Sequence, residues 1–195
     1  MLKEEWPMVT DKTTRPLRAD AQRNYDRIVA TARDAFAECG NEVPLDDIAK
    51  RACVGAGTLY RHFPTRETLY EAVYRGEITT LCERAPKLLA ELPPTEALAA
   101  WVGELVQWVA NKRSLAMTLK ASIDSGSETF RLCQTMMREA AGTVLSAAQA
   151  TGVIRLDIGP ADLMRLGHGI GVSVEHADPE DADRLVSIML DGLRA

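Results

Sequence analysis

Apolar side chains recur at three- and four-residue steps through most of this chain, the spacing of helices that bury one face. The first stripe, Ile28, Ala32, Ala35, Phe36 and Cys39, opens near Asp20 as a capping residue and closes at Gly40. This predicts a helix over about 20–39 with a left-handed glycine at its end. A short second helix follows Pro44, with Leu45, Ile48, Ala49 and Ala52 inward and Asp46 and Asp47 in its first turn, where the helix dipole favours acid. After Cys53, Val54 and Gly55 a third runs from about Ala56 to Phe63, and Pro64 forbids its continuation. Leu59 and Phe63, four apart, are placed to pack on Ile48 and Ala52. Gly57 and Arg61 then face outward, flanked by Thr58 and His62 on one side and Tyr60 on the other.

The pattern continues to the C-terminus. Thr65 caps a predicted fourth helix through Leu69, Val73 and Ile78 to about Arg84, which Pro86 bends or ends. Pro93 and Pro94 open a fifth with Leu98, Val102, Leu105 and Val109 in one stripe, widened by Trp101 and Trp108 and closed by Asn111, Lys112 and Arg113. A sixth spans about Ser114 to Asp124. Ser127 caps a seventh carrying Phe130, Cys133, Met136, Met137, Val144 and Leu145, which ends near Gly152. The eighth, from Pro160 to about His176, sets Leu163, Leu166, Ile170 and Val174 beside Gly167, Gly169 and Gly171. The ninth, from Asp178, has Leu185, Ile188, Met189 and Leu193 inward. Period-two alternation is nearly absent, so the expected fold is all-α.

Composition agrees: 195 residues with 46% hydrophobic, 26% charged and only 5% aromatic residues describe a soluble globular chain. The net charge of -5 argues against a nucleic-acid partner until its distribution is read. Residues 1–75 hold 12 basic against 12 acidic residues, and residues 76–195 hold 11 against 16, so the acid lies in the C-terminal part. Lys12, Arg15, Arg18, Arg23 and Arg27 make a basic stretch opposed only by Asp20 and Asp26; a solvated tail and a phosphate grip account for it equally well.

Several chemistries drop out. Cys39, Cys53, Cys82 and Cys133 form no CxxC pair and have no histidine at ligand spacing, so no metal site is expected. Neither a membrane-length apolar run nor a secretory leader is present, which points to a cytoplasmic protein with reduced thiols and no membrane partner. The phosphate loops, nucleophile elbow and zinc-protease motif are missing, and the only histidines are His62, His168 and His176. The sequence reads as a non-enzyme with no cofactor.

A helix as short as the third cannot stand alone, so its neighbours must hold it. Its outer face offers polar side chains suited to phosphates or base edges, and Ala56 and Gly57 would let the backbone come close to a duplex. This is a helix-turn-helix with the reading helix second. From Val43 to Tyr70 the run VPLDDIAKRACVGAGTLYRHFPTRETLY resembles the DNA-binding signature of TetR-type regulators at nearly every position. With the first helix through Phe36 and Gly40, the resemblance covers about residues 20–75. It implies that Thr58, Tyr60 and His62 touch phosphates and that Ala56, Gly57 and Arg61 meet base edges. It also implies that Pro44 and Leu45 approach the duplex and that Arg66 replaces a customary lysine. Two positions depart from the family pattern. Cys53 stands where glycine is usual in the turn, and Pro44 stands where a capping Thr or Ser is common, which removes one hydroxyl contact. The segment from Gly152 to Leu163 resembles, more weakly, the family's connector before its eighth helix.

The expected organisation is a basic arm over 1–19, a three-helix DNA-binding domain over 20–64, and a roughly six-helix ligand-binding and dimerisation domain over 65–195. The resemblance favours a two-fold four-helix seam built from Leu163, Leu166, Gly167, Ile170, Gly171, Val174, Leu185, Ile188 and Met189, the alternative being that these residues belong to the chain's own core. A homodimer with two reading heads would match a palindromic double-stranded DNA operator. The resemblance further implies an effector cavity, with Trp101, Leu105, Trp108, Met117, Phe130, Cys133, Met136 and Met137 as soft, apolar candidates for a hydrophobic or aromatic effector. Plain core packing is the competing account of each. The runner-up function is a helical ligand-binding or protein-interaction module with a vestigial helix-turn-helix.

Overall fold

The computed structural model describes residues 14–40, 42–122, 127–174 and 179–195, with side chains described over 19–40, 42–110, 127–174 and 180–195. These residues form eight helices and no strand: α1 (Thr14–Cys39), α2 (Leu45–Arg51), α3 (Ala56–His62), α4 (Arg66–Glu91), α5 (Pro94–Ser122), α6 (Glu128–Gln149), α7 (Pro160–Ser173) and α8 (Pro179–Gly192). The all-α expectation holds. Most of the anticipated arm, residues 1–13 with Lys12, lies outside the described residues, while α1 already includes Arg15 and Arg18.

Turn chemistry places the first three helices. Gly40 has φ +73° and its N–H donates to the Phe36 carbonyl at 3.0 Å, closing α1 as a left-handed cap. Pro44 occupies the N-cap position of α2 and supplies no side-chain hydrogen bond. In the α2–α3 turn the left-handed residue is Cys53, at φ +51°, a conformation glycine adopts without cost and other residues seldom do. Ile28, Phe36, Ile48, Ala52, Leu59 and Phe63 form one buried cluster, so the predicted seating of α3 on α2 is realised. Leu69, Tyr70 and Val73 of α4 complete that cluster. The reading head's interior therefore runs past the expected boundary at residue 64.

Two predicted breaks are not made. Pro86 lies inside α4, which continues to Glu91. Its ring forfeits one backbone bond on an exposed side of the helix, and the buried Ala85 and Leu88 hold the turn around it. The fifth and sixth predicted helices are one helix, α5, because residues 111–114 contain neither glycine nor proline and basic residues alone do not stop a helix. The helical part behind the head thus has five helices among the described residues rather than about six.

Capping fixes the others. Thr65 and Thr68 form a reciprocal capping box at the start of α4, and Ser127 Oγ accepts from the Phe130 N–H at 3.1 Å at the start of α6. The second core gathers Ile78, Leu88, Trp101, Val102, Leu145 and Leu163 from four helices. α4 packs on α5 and α6, and α7 lies along α5. The chain's end is tied down: Ile154 and Arg194 form an isolated antiparallel bridge, and the Ala195 N–H donates to the Val153 carbonyl at 2.9 Å.

Candidate nucleic-acid interface

α3 owes its position to Leu59, fully buried, and Phe63, 2% exposed. With that stripe turned inward, Ala56, Gly57, Tyr60 and Arg61 are exposed and Thr58 is half-buried. Tyr60 is 44% exposed, so its ring and hydroxyl are open to a partner. A Cβ built on Gly57 would meet nothing within 4 Å, so the space over the start of α3 is open. α3 itself contains no acidic residue and ends on Arg61 and His62. A polyanion approaching this face meets donors and a cation without a carboxylate in the helix to repel it.

His62 is less free than the sequence suggests. Its ring meets Tyr25 edge-on, centroids 6.1 Å apart at 70°, and it is half-buried. Tyr25 also packs on Phe63 at 5.1 Å. Arg66 is half-buried, with Nη1 3.5 Å from the Tyr70 hydroxyl, while Pro44 is exposed and Leu45 half-buried at the start of α2. Tyr25 is the residue that sequence reading passed over. It lies three before Ile28 on the α1 stripe, and its hydroxyl accepts from Arg75 Nη2 of α4 at 3.3 Å. An open cleft of about 380 Å³ between α1 and α4 runs along this contact, lined by Tyr25, Val29, Arg33, Val73 and Arg75 among others. In the basic stretch, Arg23 pairs with Asp20 and Arg27 donates to Asn24 at 2.6 Å. The side chains of Arg15 and Arg18 lie outside those described.

The candidate effector residues fall in the second core. Trp101, Leu105, Cys133 and Met137 are buried, Trp108, Phe130 and Met136 are half-buried, and Met117 lies on α5 with its side chain outside those described. Phe130 also packs against the reading head's cluster. The two indoles differ: Trp101 Nε1 donates to the Leu81 carbonyl at 3.1 Å, whereas Trp108 Nε1 is buried without a partner. Tyr74 lies tilted against Trp108, ring centroids 6.1 Å apart and planes at 52°, and burial together with Cys133 pushes its hydroxyl up to about 12. Burial likewise pushes the Cys82 thiol up to about 11 and raises that of Cys133, so both stay protonated near neutrality. No group of metal-binding side chains occurs among the described residues, and no described helix is long and apolar enough to cross a membrane.

The nine residues expected at a dimer seam divide into two sets. Leu163, Gly167, Gly171 and Val174 are buried within the chain itself. The glycines explain why: a Cβ on Gly167 would stand 2.8 Å from Leu105 Cδ2, and one on Gly171 would stand 2.5 Å from Val109 Cβ and 2.8 Å from the Val106 carbonyl oxygen. α7 thus lies against α5 through bare backbone. Leu166 at 44% and Ile188 at 60% are exposed, and Ile170, Leu185 and Met189 are half-buried.

Comparison with known proteins places this geometry. Residues 28–73 match the model of the bacterial regulatory proteins of the tetR family, and residues 93–195 match the C-terminal domain of SbtR-like transcriptional regulators. The crystal structure of the TetR transcriptional regulator SCO0520 from Streptomyces coelicolor is 42% identical, with a TM-score of 0.74 over 87% of this chain and 98% of that one. The TetR regulatory protein from Mycobacterium vanbaalenii is 36% identical, with a TM-score of 0.72 over 92% and 100%. RolR in complex with resorcinol shares the fold at 21% identity, with a TM-score of 0.62 over 90% of each chain. The HTH-type transcriptional regulator SAR0097 of Staphylococcus aureus is 34% identical over 84 residues, 42% of this chain. The chain spans 44% of that relative's length and 63% of a second one, SAB2452. The matched families are transcriptional regulators and not enzymes. With a two-helix reading unit, a capped fourth helix shared between two cores, and family matches over both parts, this chain belongs to the TetR family of DNA-binding transcriptional regulators.

Proposed function

We propose that the protein is a homodimeric repressor that holds a palindromic operator through α3 and releases it when a small apolar or aromatic effector occupies the core between α4, α5 and α6. The observation that carries the DNA half is the outward face of α3, where Gly57, Tyr60 and Arg61 are exposed over open space with no acid in the helix. Thr58, Tyr60 and, from its half-buried position, His62 meet phosphates; Ala56, Gly57 and Arg61 meet base edges; Pro44, Leu45 and Arg66 lie close to the backbone at the edges of the unit. The effector half is supported by the core of Trp101, Trp108, Cys133 and Met137, and by the resorcinol complex of a protein sharing the fold. The dimer half rests on the exposed apolar side chains of Leu166 on α7 and Ile188 on α8.

The operator is found by recovering what the purified protein retains from fragmented genomic DNA. On matched and mismatched duplexes, Arg61→Ala is expected to cost about 1–3 kcal/mol and to relax discrimination at one base pair, whereas Tyr60→Phe weakens all duplexes alike. A fluorescence titration reads both. Equal losses on every duplex for Arg61→Ala would remove its base-reading role.

A further inference from the structure

In a core where the described residues bury no charged or polar side chain, one donor stands alone. Trp108 Nε1 has no contact with solvent and no acceptor, while Trp101, two turns earlier on the same face of α5, has found the Leu81 carbonyl. A buried N–H without a partner is costly, and native proteins leave very few, so the group calls for an occupant that accepts a hydrogen bond. An ordered water is a poor one, because a buried water needs two to four polar partners and the described residues bury no charged or polar side chain to supply them. An ionised molecule is no better suited. No buried charged side chain occurs among the described residues to balance it.

We propose that Trp108 Nε1–H is the donor that reads the effector, and that the effector is an uncharged, mostly apolar molecule presenting one carbonyl-type oxygen to that indole. This rests on the reading of the second core as an effector site. The Tyr74 ring lies against the same indole, with centroids 6.1 Å apart. Met136 and Met137 on α6 supply an adaptable apolar wall. Specificity follows from the orphan itself, since a ligand of equal shape without an acceptor leaves the N–H as unpaired as before.

The test uses the full-length protein labelled with ¹⁵N-tryptophan and two probe pairs of matched shape: acetophenone against α-methylstyrene, and 2-nonanone against 2-methyl-1-nonene. In at least one pair the ketone binds about tenfold tighter than the alkene and shifts the Trp108 indole resonance, which is assigned by its absence in Trp108→Phe. In Trp108→Phe, the ketone's advantage falls below about twofold, with circular dichroism reporting the fold. The wild-type shift needs no substitution, so a variant that fails to fold leaves the proposal testable. Equal binding of ketone and alkene, an unmoved Trp108 resonance with both ketones, or cross-relaxation showing a resident water on that N–H would each overturn it. Operator binding measured on the same sample separates the two ideas. Release by molecules lacking an acceptor keeps the regulator and rejects the donor, and ketone recognition without operator binding does the reverse.

Discussion

Gly171 shows how much one hydrogen atom in place of a methyl group decides. A Cβ there would press on Val109 and on the backbone carbonyl of Val106, and backbone cannot step aside as the tip of a side chain can. Gly169, two residues away, has open space around its missing side chain. Gly171→Ala should therefore lower stability by about 1–3 kcal/mol. Gly169→Ala should raise it by up to about 1 kcal/mol, through helix propensity alone. Urea unfolding followed by circular dichroism measures both, and equal signs would show that α7 does not lie on α5 as described. Gly167 and Gly171 pack on α5 and Gly169 does not. That partner was not legible in the sequence, because periodicity gives the face of a helix and not the identity of its neighbour.

Among the elements, α4 and α1 carry the communication. Tyr25 of α1 touches Phe63 and His62 at the end of the reading helix and holds Arg75 of α4 through its hydroxyl, while Tyr74, the residue before Arg75, lies tilted against Trp108 of α5. A continuous set of contacts thus joins the second core to α3, a spatial connection whose coupling is open to test. Tyr25→Ala removes the ring that braces Phe63 and should weaken operator binding about tenfold, while Tyr25→Phe, which keeps the ring, stays within about twofold. Operator titration against the wild type distinguishes these outcomes, and equal affinity for both variants would take Tyr25 out of the head's support. The later helix bounds of the head were legible because Gly40, Pro44, Pro64 and Thr65 each punctuate the chain with a definite turn or cap, whereas α1 begins at Thr14, six residues before the expected start near Asp20. Further on, Pro86 and the basic run at residues 111–113 carried false stops. Long-range packing outweighs a single lost hydrogen bond in one case, and in the other the sequence contained no breaker at all. Tyr25 escaped notice because a tyrosine on an apolar stripe reads as core, and its partners come from residues 37 to 50 positions away.

For the molecule as a whole, the charge map and the apolar map point to opposite ends. The reading face lies on the balanced N-terminal part, and the exposed leucine and isoleucine of α7 and α8 lie on the acidic C-terminal part. Ile188→Glu and Leu166→Glu should each weaken self-association by at least about a hundredfold, since a carboxylate placed in a seam pays for its lost hydration with no partner. Sedimentation equilibrium provides the measure; an unchanged dimer in both variants would move the seam elsewhere. The same variants should lose most of their affinity for a two-half-site duplex while keeping that for a single half-site.

The split allegiance of α4 has a practical corollary. Because Leu69, Tyr70 and Val73 fill the interior beneath α3 while Ile78 to Leu88 fill the other, anyone transplanting this head onto a foreign sensor must cut after the second turn of that helix and not at Pro64. A chimera joined at Pro64 would carry a hollow beneath its reading helix; one spliced near Arg75 would arrive with its foundation intact.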